Sequence, residues 1–228
     1  TYTGYQPIKY CLDDVFYDSG ANNDNSIPLI RFAEVLLNYA EAKAELGVFT
    51  DADWEKTIGA LRGRAGITGG LTARPTKADP YLQANYFPEI TDPSLLEIRR
   101  ERGIELVFEG LRFSDLLRWK KGNLMTMPWN GFYVPELDKP MDLNEDGILD
   151  VCFTVNENVE NPISGVTYVV VSEMKAGKVN PQRLSGNTKG ELTWLNNIPR
   201  VWEDKHYLYP IPDLDIIMNP NLTQNPGW

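Results

Sequence analysis

Residues 27–46 read IPLIRFAEVLLNYAEAKAEL, and this stretch decides the fold class. Polar residues recur in it at alternating intervals of three and four, which is the spacing of one face of an α-helix. Those residues are Arg31, Glu34, Asn38, Glu41 and Glu45. Two apolar rows lie beside them: Ile30, Ala33, Leu37, Ala40 and Ala44, and then Leu29, Phe32, Leu36 and Tyr39. We predict an amphipathic helix over 27–46 that buries both rows and ends at Gly47.

A second helix is predicted immediately after the first. Thr50 and Asp53 have the spacing of a capping box, with Asp in the position that Glu usually holds. Apolar residues then continue at helical intervals up to Gly66. Because the connection is short, we expect an antiparallel hairpin with a core of Leu37, Ala40, Trp54, Ile58 and Leu61. Such pairs are typical of tetratricopeptide-type units, although only one is evident and no repeat of about 34 residues is present.

The next segments complete a helical region over residues 27–122. Residues 67–90 carry glycines and prolines without periodicity, which predicts a long loop. Asp92 and Pro93 are the N-cap and first-turn residues of a further helix, predicted to run to Gly110 with Gly103 as its weak point. A short helix is expected over 112–122.

Residues 123–228 have a different composition, rich in Gly, Pro, Asn, aromatic and β-branched residues. Strands are predicted at VCFTV (151–155), VTYVVVS (166–172) and ELTWL (191–195). Near the end we expect an extended segment, HYLYPIP (206–212), and a helical turn that begins at Asp213. The length fits one large domain or two small ones. The prediction is a mainly α fold with helical hairpins over 27–122 and a loop-rich region with a few short strands over 123–228.

Composition and charge exclude several functions. Of the 228 residues 42% are apolar, enough to fill a core. The 32 acidic and 22 basic residues give a formal net charge of -10, so nucleic acid and anionic lipid surfaces should repel the chain. The sequence has no apolar run long enough to span a bilayer. Since it begins at Thr1, any signal peptide or lipid-anchor cysteine is expected upstream.

Cysteine and histidine indicate no catalytic or metal centre. Cys11 and Cys152 belong to no metal-binding motif; the alternatives are two partly buried thiols in strand-like runs or one disulfide. The single histidine, His206, is interpreted as a packed or surface ring, because no nucleophile motif accompanies it.

The segment from Glu97 to Arg118 is densely charged. Glu101 and Glu105, one helical turn apart, could suggest an acid and base pair for glycoside hydrolysis. Two carboxylates on one helix face point the same way, however, whereas that reaction needs them on opposite sides of the bond. We therefore predict ion-paired helix surfaces, partly buried against the next helix.

The segment DLNEDGILD, residues 142–150, resembles a truncated calcium loop. Asp142, Asn144, Asp146 and Asp150 occupy ligand positions 1, 3, 5 and 9, Gly147 permits the turn, and Ile148 would supply a carbonyl. The twelfth position is Phe153 instead of the bidentate Glu, so the predicted structural Ca²⁺ site is weak. The alternative is an Asx-turn without metal.

Aromatic residues in the irregular region are the candidate sugar-binding groups. Trp129, Phe132, Tyr133 and Trp194 are the predicted ligand-binding residues, and Trp202 lies in the same region. A sugar site needs flat rings for apolar faces and polar side chains for hydroxyls. The alternative is that these rings fill the core.

The order of four segments resembles the C-terminal half of the SusD/RagB family of Bacteroidetes. These segments are IPLIRFAEVLLNYAEAKAELG, IGALRGRAGIT, LLEIRRERGIELVFEGLRFSDLLRWKKG and YLYPIPDLDIIMNPNLTQNPGW, between Ile27 and Trp228. The resemblance implies one domain, 1–228, with a mainly helical fold and tetratricopeptide-like hairpins. It also implies a lipoprotein, exposed on the outer membrane, that binds oligosaccharides or other nutrients and covers a SusC-like TonB-dependent transporter, without enzymatic activity.

Family members are generally about twice this length, and their N-terminal half carries the lipidated cysteine. The resemblance therefore implies that the membrane anchor lies outside this chain. No glycan-contacting residue can be transferred, because the family lacks a fixed ligand motif. A helical-repeat interaction scaffold and a calcium-stabilised enzyme are the alternative functions.

Overall fold

A computed structural model of the protein describes residues 3–5, 7–12, 14–17 and 25–228. The chain forms two compact units, Lys9–Leu124 and Thr1–Ile8 with Met125–Trp228. Helix makes up 33% and strand 12% of the residues that are described, so the prediction of a mainly α fold is confirmed. None of the described helices combines the length and the apolar character that crossing a bilayer requires.

Helix α1 covers Phe32–Glu45. Its start lies five residues after the predicted one, because Arg31 is held in an extended conformation as the N-cap. The predicted end is confirmed: the N–H groups of Gly47 and Val48 bond to the carbonyls of Ala44 and Lys43, each at 3.0 Å, in a Schellman motif. Gly47 has φ +69°, the left-handed conformation that this motif requires.

Only one of the two apolar rows of α1 is buried. Ala33, Leu37, Ala40 and Ala44 lie in the core of the helical unit, as predicted. In the second row Leu36 is partly buried, but Leu29, Phe32 and Tyr39 are exposed, and so is Ile30 of the first row. The prediction of two buried rows was therefore wrong. Helix α1 contacts helix α5 (Pro93–Glu105) and the helix that directly follows α1 in the chain, and these contacts cover only one side of the α1 cylinder.

The second helix consists of α2 (Asp51–Trp54), a π-helical segment (Glu55–Gly59) and α3 (Ala60–Arg64). The predicted capping box is confirmed, since Asp53 N donates to Thr50 Oγ1 at 3.2 Å and Thr50 N to Asp53 Oδ2 at 2.9 Å. Leu37, Ala40, Trp54, Ile58 and Leu61 are all buried, which confirms the predicted hairpin core. A Cβ on Gly59 would collide with the Leu71 carbonyl oxygen, so this position needs glycine.

The predicted loop 67–90 contains a helix, α4 (Pro80–Asn85). Asp79 is its N-cap and accepts from Leu82 N at 2.9 Å, with Pro80 in the first turn. The pair Asp79–Pro80 thus has the same role as Asp92–Pro93, and α4 was not predicted. Leu82 and the following Phe87 are buried in the helical core.

Two more helices complete this unit. Helix α5 covers Pro93–Glu105 and α6 covers Leu111–Arg118. The predicted continuation of α5 to Gly110 was wrong, because left-handed residues, Phe108 at φ 61° and Gly110 at φ 78°, break the helix between them. A 3₁₀-helix, Gly122–Thr126, follows.

The described strands all belong to the second unit. The predicted strands are found as β2 (Val151–Thr154), β3 (Thr167–Val170) and β7 (Gly190–Trp194). Four others were not predicted: β1 (Asn130–Val134), β4 (Met174–Lys175), β5 (Lys178–Val179) and β6 (Gln182–Leu184). The antiparallel sheet has the order β1-β7-β6, β2 and β3 pair in parallel, and β4 and β5 form a hairpin.

The ends of the chain add short helices. A 3₁₀-helix, Asp204–Tyr207, precedes α7, Asp213–Met218, which confirms the predicted helical turn at Asp213. Cys152 is a buried thiol in β2, as predicted, but Cys11 is exposed. The run after Cys11 includes a 3₁₀-helix, Val15–Tyr17, rather than a strand.

Candidate functional site

The two faces of the β1-β7-β6 sheet differ in character. Val134 and Leu192 are buried on the inner face, with Phe132 packed against the same cluster. Because side chains alternate along a strand, Tyr133 points to the outer face, where its cross-strand partner is Glu191. Tyr133 is exposed. The outer face is therefore the one that a ligand can reach.

A cavity of about 380 Å³ is lined by residues of all three strands, among them Arg183 and Thr193 of the outer face. Two cross-strand pairs, Asn130 with Thr193 and Thr193 with Arg183, contribute to its wall. The residues that line it, referred to below as the amide cavity, are Pro128, Asn130, Pro181, Arg183, Leu184, Ser185, Thr193, Asn196 and Asn197. Amide, hydroxyl and guanidinium groups therefore dominate its polar surface, and the lining includes no carboxylate.

Trp129 lies next to this cavity and is held by Arg200 and Asn196. The guanidinium of Arg200 stacks on the Trp129 ring at 4.2 Å from the centroid, and its Nη2 donates to Met127 O at 2.8 Å. Asn196 Oδ1 accepts from Trp129 N at 3.3 Å, and Asn196 Nδ2 donates to Asn130 Oδ1 at 3.4 Å. The ring is fixed in place, yet 47% of Trp129 is exposed.

A left-handed residue brings Asn196 to this position. Leu195 has φ 54°, an unfavourable conformation for a residue with a branched side chain. It turns the chain directly after β7, and Leu195 N bonds to Pro181 O at 2.9 Å. Strained backbone of this kind is often found beside functional groups.

The four predicted ligand-binding aromatics are divided between the two faces. Trp129 and Tyr133 are exposed, whereas Phe132 stacks on Phe153 with 6.4 Å between ring centroids. Trp194 is half-buried and, two residues after Leu192, shares its side of the strand. Phe132 thus has the alternative role, a ring that fills the core, and the structure does not bring all four together.

The amide residues of the cavity were missed in the sequence. The available signal was that asparagines lie shortly after two of the six tryptophans: Asn130 directly follows Trp129, and Asn196 and Asn197 lie two and three positions after Trp194. The two segments lie 65 positions apart in the chain. They meet only because β1 pairs with β7, and no local sequence pattern indicates that pairing.

A second polar groove of about 550 Å³ lies beside β2 and β3. Its lining includes Asn156, Asn158 and Asn161 together with Asp138 and Tyr168. The hydroxyl of Tyr168 accepts from Ile163 N at 3.1 Å. No residue of its lining is a tryptophan or phenylalanine, so the groove offers less flat ring surface than the neighbourhood of Trp129.

The predicted calcium loop is closed by hydrogen bonds from its own backbone. Asp142 Oδ2 accepts from Gly147 N at 2.7 Å, Asp146 Oδ1 from Ile148 N at 2.8 Å, and Asp150 Oδ2 from Leu143 N at 2.8 Å. Asn144 Oδ1 accepts from Asp146 N at 3.1 Å.

One buried side-chain oxygen of this loop has no hydrogen-bond partner among the described residues. Asp142 Oδ1 is buried and unpaired. Across the described part of the chain, no three His, Cys, Asp or Glu side chains converge into a group that could hold a metal. To bind a cation, the carboxylates of this loop would have to move closer together. The calcium site therefore stays a prediction.

The charged segment of α5 and α6 forms ion pairs, as predicted. Glu101 Oε1 accepts from Arg62 Nε at 2.6 Å, and Glu105 accepts from Arg31 at 2.8 Å and from Arg64 at 2.7 Å. Both carboxylates considered as an acid and base pair are therefore held by arginines. His206 is a packed ring: its Nδ1 accepts from Glu203 N at 2.9 Å, and the rings of Trp202 and Trp228 pack against it in T-shaped arrangements.

Comparison with known proteins gives the family. The model of the SusD family matches residues 1–228. A solved structure of a SusD-like protein from Bacteroides fragilis aligns with 90% of this chain and 26% of its own, at 25% identity and a TM-score of 0.49. The chain thus spans about a quarter of that protein's length. No curated protein matches the chain significantly. On the match over its whole length, the chain belongs to the SusD family.

Proposed function

We propose that this protein binds an oligosaccharide at the amide cavity, with Trp129 as the stacking ring, and does not alter it chemically. The observation that carries this proposal is the exposed Trp129 ring fixed beside Asn130 and Asn196. A sugar presents a flat C–H face and a rim of hydroxyls. An aromatic ring covers the first, and amide groups both donate to and accept from the second.

The absence of catalysis is supported by the chemistry of the cavity. Glycoside hydrolysis requires two carboxyl groups on either side of the bond, about 5 to 9.5 Å apart. The lining of the amide cavity supplies none. Its cationic groups, Arg183 and the neighbouring Arg200, bond to backbone carbonyls and act as hydrogen-bond donors rather than as proton-transfer groups.

Proteins of the SusD family are typically found at the surface of the outer membrane, where they bind glycans or other nutrients. We extend the proposal accordingly: the protein is held at the cell surface by a lipid anchor outside this chain and delivers its ligand to a SusC-like TonB-dependent transporter. Protease digestion of intact cells tests the location, and copurification of a TonB-dependent transporter tests the partner.

Affinity electrophoresis in gels that contain individual polysaccharides tests the binding site. We expect one polysaccharide to retard the protein, and Trp129→Ala to weaken retardation at least tenfold, because truncation of an aromatic residue that dominates a binding site costs about 2 kcal/mol or more and about 1.4 kcal/mol is a factor of ten. Tyr209→Ala, which removes an exposed ring elsewhere in the same unit, is the control and should bind as wild type. If both variants bind the polysaccharide equally well, Trp129 is not part of the binding site. Release of reducing ends from the polysaccharide would contradict the non-catalytic function.

A structural calcium ion at Asp142–Asp150 is a second part of the proposal. The buried and unpaired Asp142 Oδ1 supports it, because a cation would supply the missing partner. The side chains of Asn144, Asp146 and Asp150 and the carbonyl of Ile148 would complete the set of ligands.

One observation favours the alternative of a helical-repeat interaction scaffold. Phe32, Val35 and Tyr39 are exposed along one side of α1, at the spacing of a helix face. Such a face suits a partner helix. Analytical ultracentrifugation of Phe32→Ser against wild type separates the two functions, because a scaffold should lose self-association or partner binding while a glycan binder should keep its ligand.

A further inference from the structure

The helical unit contains a pocket of about 400 Å³ between α4, α5 and α6. Its walls are mostly apolar and aromatic: Tyr81, Leu82, Tyr86, Phe87, Ile104 and Phe108. Three arginines, Arg99, Arg100 and Arg112, lie among these walls. A pocket with apolar walls and several cations is suited to an organic anion.

Arg112 differs from the other arginines of this unit. Between residues 9 and 124, as far as the structure describes them, every arginine except Arg112 forms an ion pair with a carboxylate. The paired ones are Arg31, Arg62, Arg64, Arg74, Arg99, Arg100, Arg102 and Arg118. Arg112 has neither an ion pair nor a hydrogen bond among the described residues, and its Nη1 is buried without a partner. Its guanidinium is the cation of the pocket that is available to a ligand.

The fold holds this guanidinium in place. It lies 5.6 Å from the centroid of the Trp119 ring. On the side of α5 it lies against Gly103, where a Cβ would approach Arg112 Nη1 to 3.2 Å. Glycine is unfavourable inside a helix, and here its lack of a side chain makes room for the charge.

Two carboxylates could neutralise Arg112: Asp115, which interacts with it electrostatically, and Asp79, which lines the pocket, and both are bound to other groups. Asp115 Oδ2 accepts from Arg102 at 2.7 Å and Oδ1 from Arg118 at 3.0 Å. Asp79 Oδ2 accepts from Arg100 at 2.8 Å, and its other oxygen caps α4. Burial lowers the pKa of the Arg112 guanidinium, which expresses the cost of holding this charge without a counterion. The chain has a net charge of -10 and thus an excess of carboxylates, so a buried arginine without a paired carboxylate is unexpected.

We propose that this pocket binds a small carboxylate carried on an apolar or ring-shaped body, with Arg112 as the counterion of the carboxylate and Tyr81, Ile104 and Phe108 in contact with the body. A guanidinium matches a carboxylate with two parallel hydrogen bonds. A uronic acid unit of a glycan and a free aryl or alkyl acid share this chemistry. The pocket belongs to the helical unit and not to the sheet, so this inference does not depend on the proposed function at the amide cavity.

Titration with three probes, followed by tryptophan fluorescence and by ¹H–¹⁵N spectra of the whole chain, tests this proposal. The probes are 3-phenylpropanoate, its uncharged analogue 3-phenylpropanol, and digalacturonate. Arg112→Met removes the counterion, and Arg64→Met removes an exposed arginine outside the pocket as a matched control. We expect at least one of the two acids to bind, Arg112→Met to weaken its binding at least tenfold, and Arg64→Met to leave it unchanged.

The relative affinities of the probes identify the source of the carboxylate. Preference for digalacturonate indicates a uronate, and preference for 3-phenylpropanoate indicates a free acid. If 3-phenylpropanol binds as tightly as 3-phenylpropanoate, if Arg112→Met binds as wild type, or if neither acid binds at 10 mM, the proposal is wrong.

A second variant keeps the test valid if Arg112→Met does not fold. Tyr81 is an exposed residue of the pocket wall, so Tyr81→Ala should leave the fold intact. We expect it to weaken binding of the acid about threefold or more. Unchanged affinity in Tyr81→Ala, together with chemical-shift changes outside α4, α5 and α6, would place the acid elsewhere and overturn the proposal.

Discussion

Arg102 and Asp115 form an ion pair that is almost completely buried between α5 and α6. Arg102 Nε donates to Asp115 Oδ2 at 2.7 Å, and the side chains are 5% and 4% exposed. Arg102 Nη1 also donates to Asn38 Oδ1 on α1 at 2.7 Å. One guanidinium therefore connects three helices, and the buried carboxylate with which it pairs also pairs with Arg118.

Removal of one member of this pair should be costly. We expect Asp115→Ala to lower the free energy of unfolding by about 3–5 kcal/mol, because it leaves Arg102 buried without its counterion. Urea denaturation of the variant and of wild type measures the difference. The control is Asp51→Ala, which breaks the exposed pair with Arg74 and should cost about 1 kcal/mol or less. Equal losses in both variants would show that burial does not control the strength of these pairs.

The two apolar rows of α1 should respond differently to truncation. Leu37 is fully buried, so Leu37→Ala should cost about 2–5 kcal/mol. Phe32 is 72% exposed, and Phe32→Ala should change the stability by about 0.5 kcal/mol or less. Thermal and chemical denaturation of both variants test this. A large loss in Phe32→Ala would mean that something covers this row in solution.

Acid should destabilise the hairpin through Asp53. Lys43 donates to its carboxylate at 2.7 Å and Thr50 at 2.6 Å, and these hydrogen bonds hold the pKa of Asp53 well below its ordinary value of 3.8. Because the folded-state pKa is lowered, this contribution to stability is complete above the unfolded-state value and is lost as the pH falls below it.

The variant Asp53→Asn tests this linkage. It should be less stable than wild type at pH 7, and its melting temperature should fall less between pH 5 and pH 3. Asp213→Asn, at an exposed position in α7, is the control and should keep the wild-type pH profile. Parallel pH profiles for wild type and Asp53→Asn would contradict the linkage.

Calcium should raise the melting temperature if the loop Asp142–Asp150 binds it. The missing bidentate Glu predicts a dissociation constant of about 10⁻⁴–10⁻³ M, so millimolar calcium should stabilise the protein and a chelator should reverse the effect. Asp146→Ala should lose the response. If wild type and variant shift equally, or if neither shifts at millimolar calcium, the loop is an Asx-turn without metal.

The sequence alone determined the features that depend on neighbouring residues. The capping box of Thr50 and Asp53, the N-cap Asp92 and the end of α1 at Gly47 all involve hydrogen bonds between residues no more than five positions apart. Helical periodicity likewise identified the hairpin core of Leu37, Trp54 and Ile58. Short-range geometry is the same in any fold, so the pattern was enough. The overlooked Asp79–Pro80 shows that α4 was also predictable.

Only the tertiary structure decided which residues meet. Arg118 pairs with Glu41, 77 positions away, while Arg112, six positions before it, pairs with no described residue. In the sequence these two arginines look alike. Likewise Phe132 and Tyr133 are adjacent aromatics, and only the pairing of β1 with β7 sends one into the core and the other to the surface. Partner choice and exposure depend on how distant segments pack, and no local pattern encodes that packing.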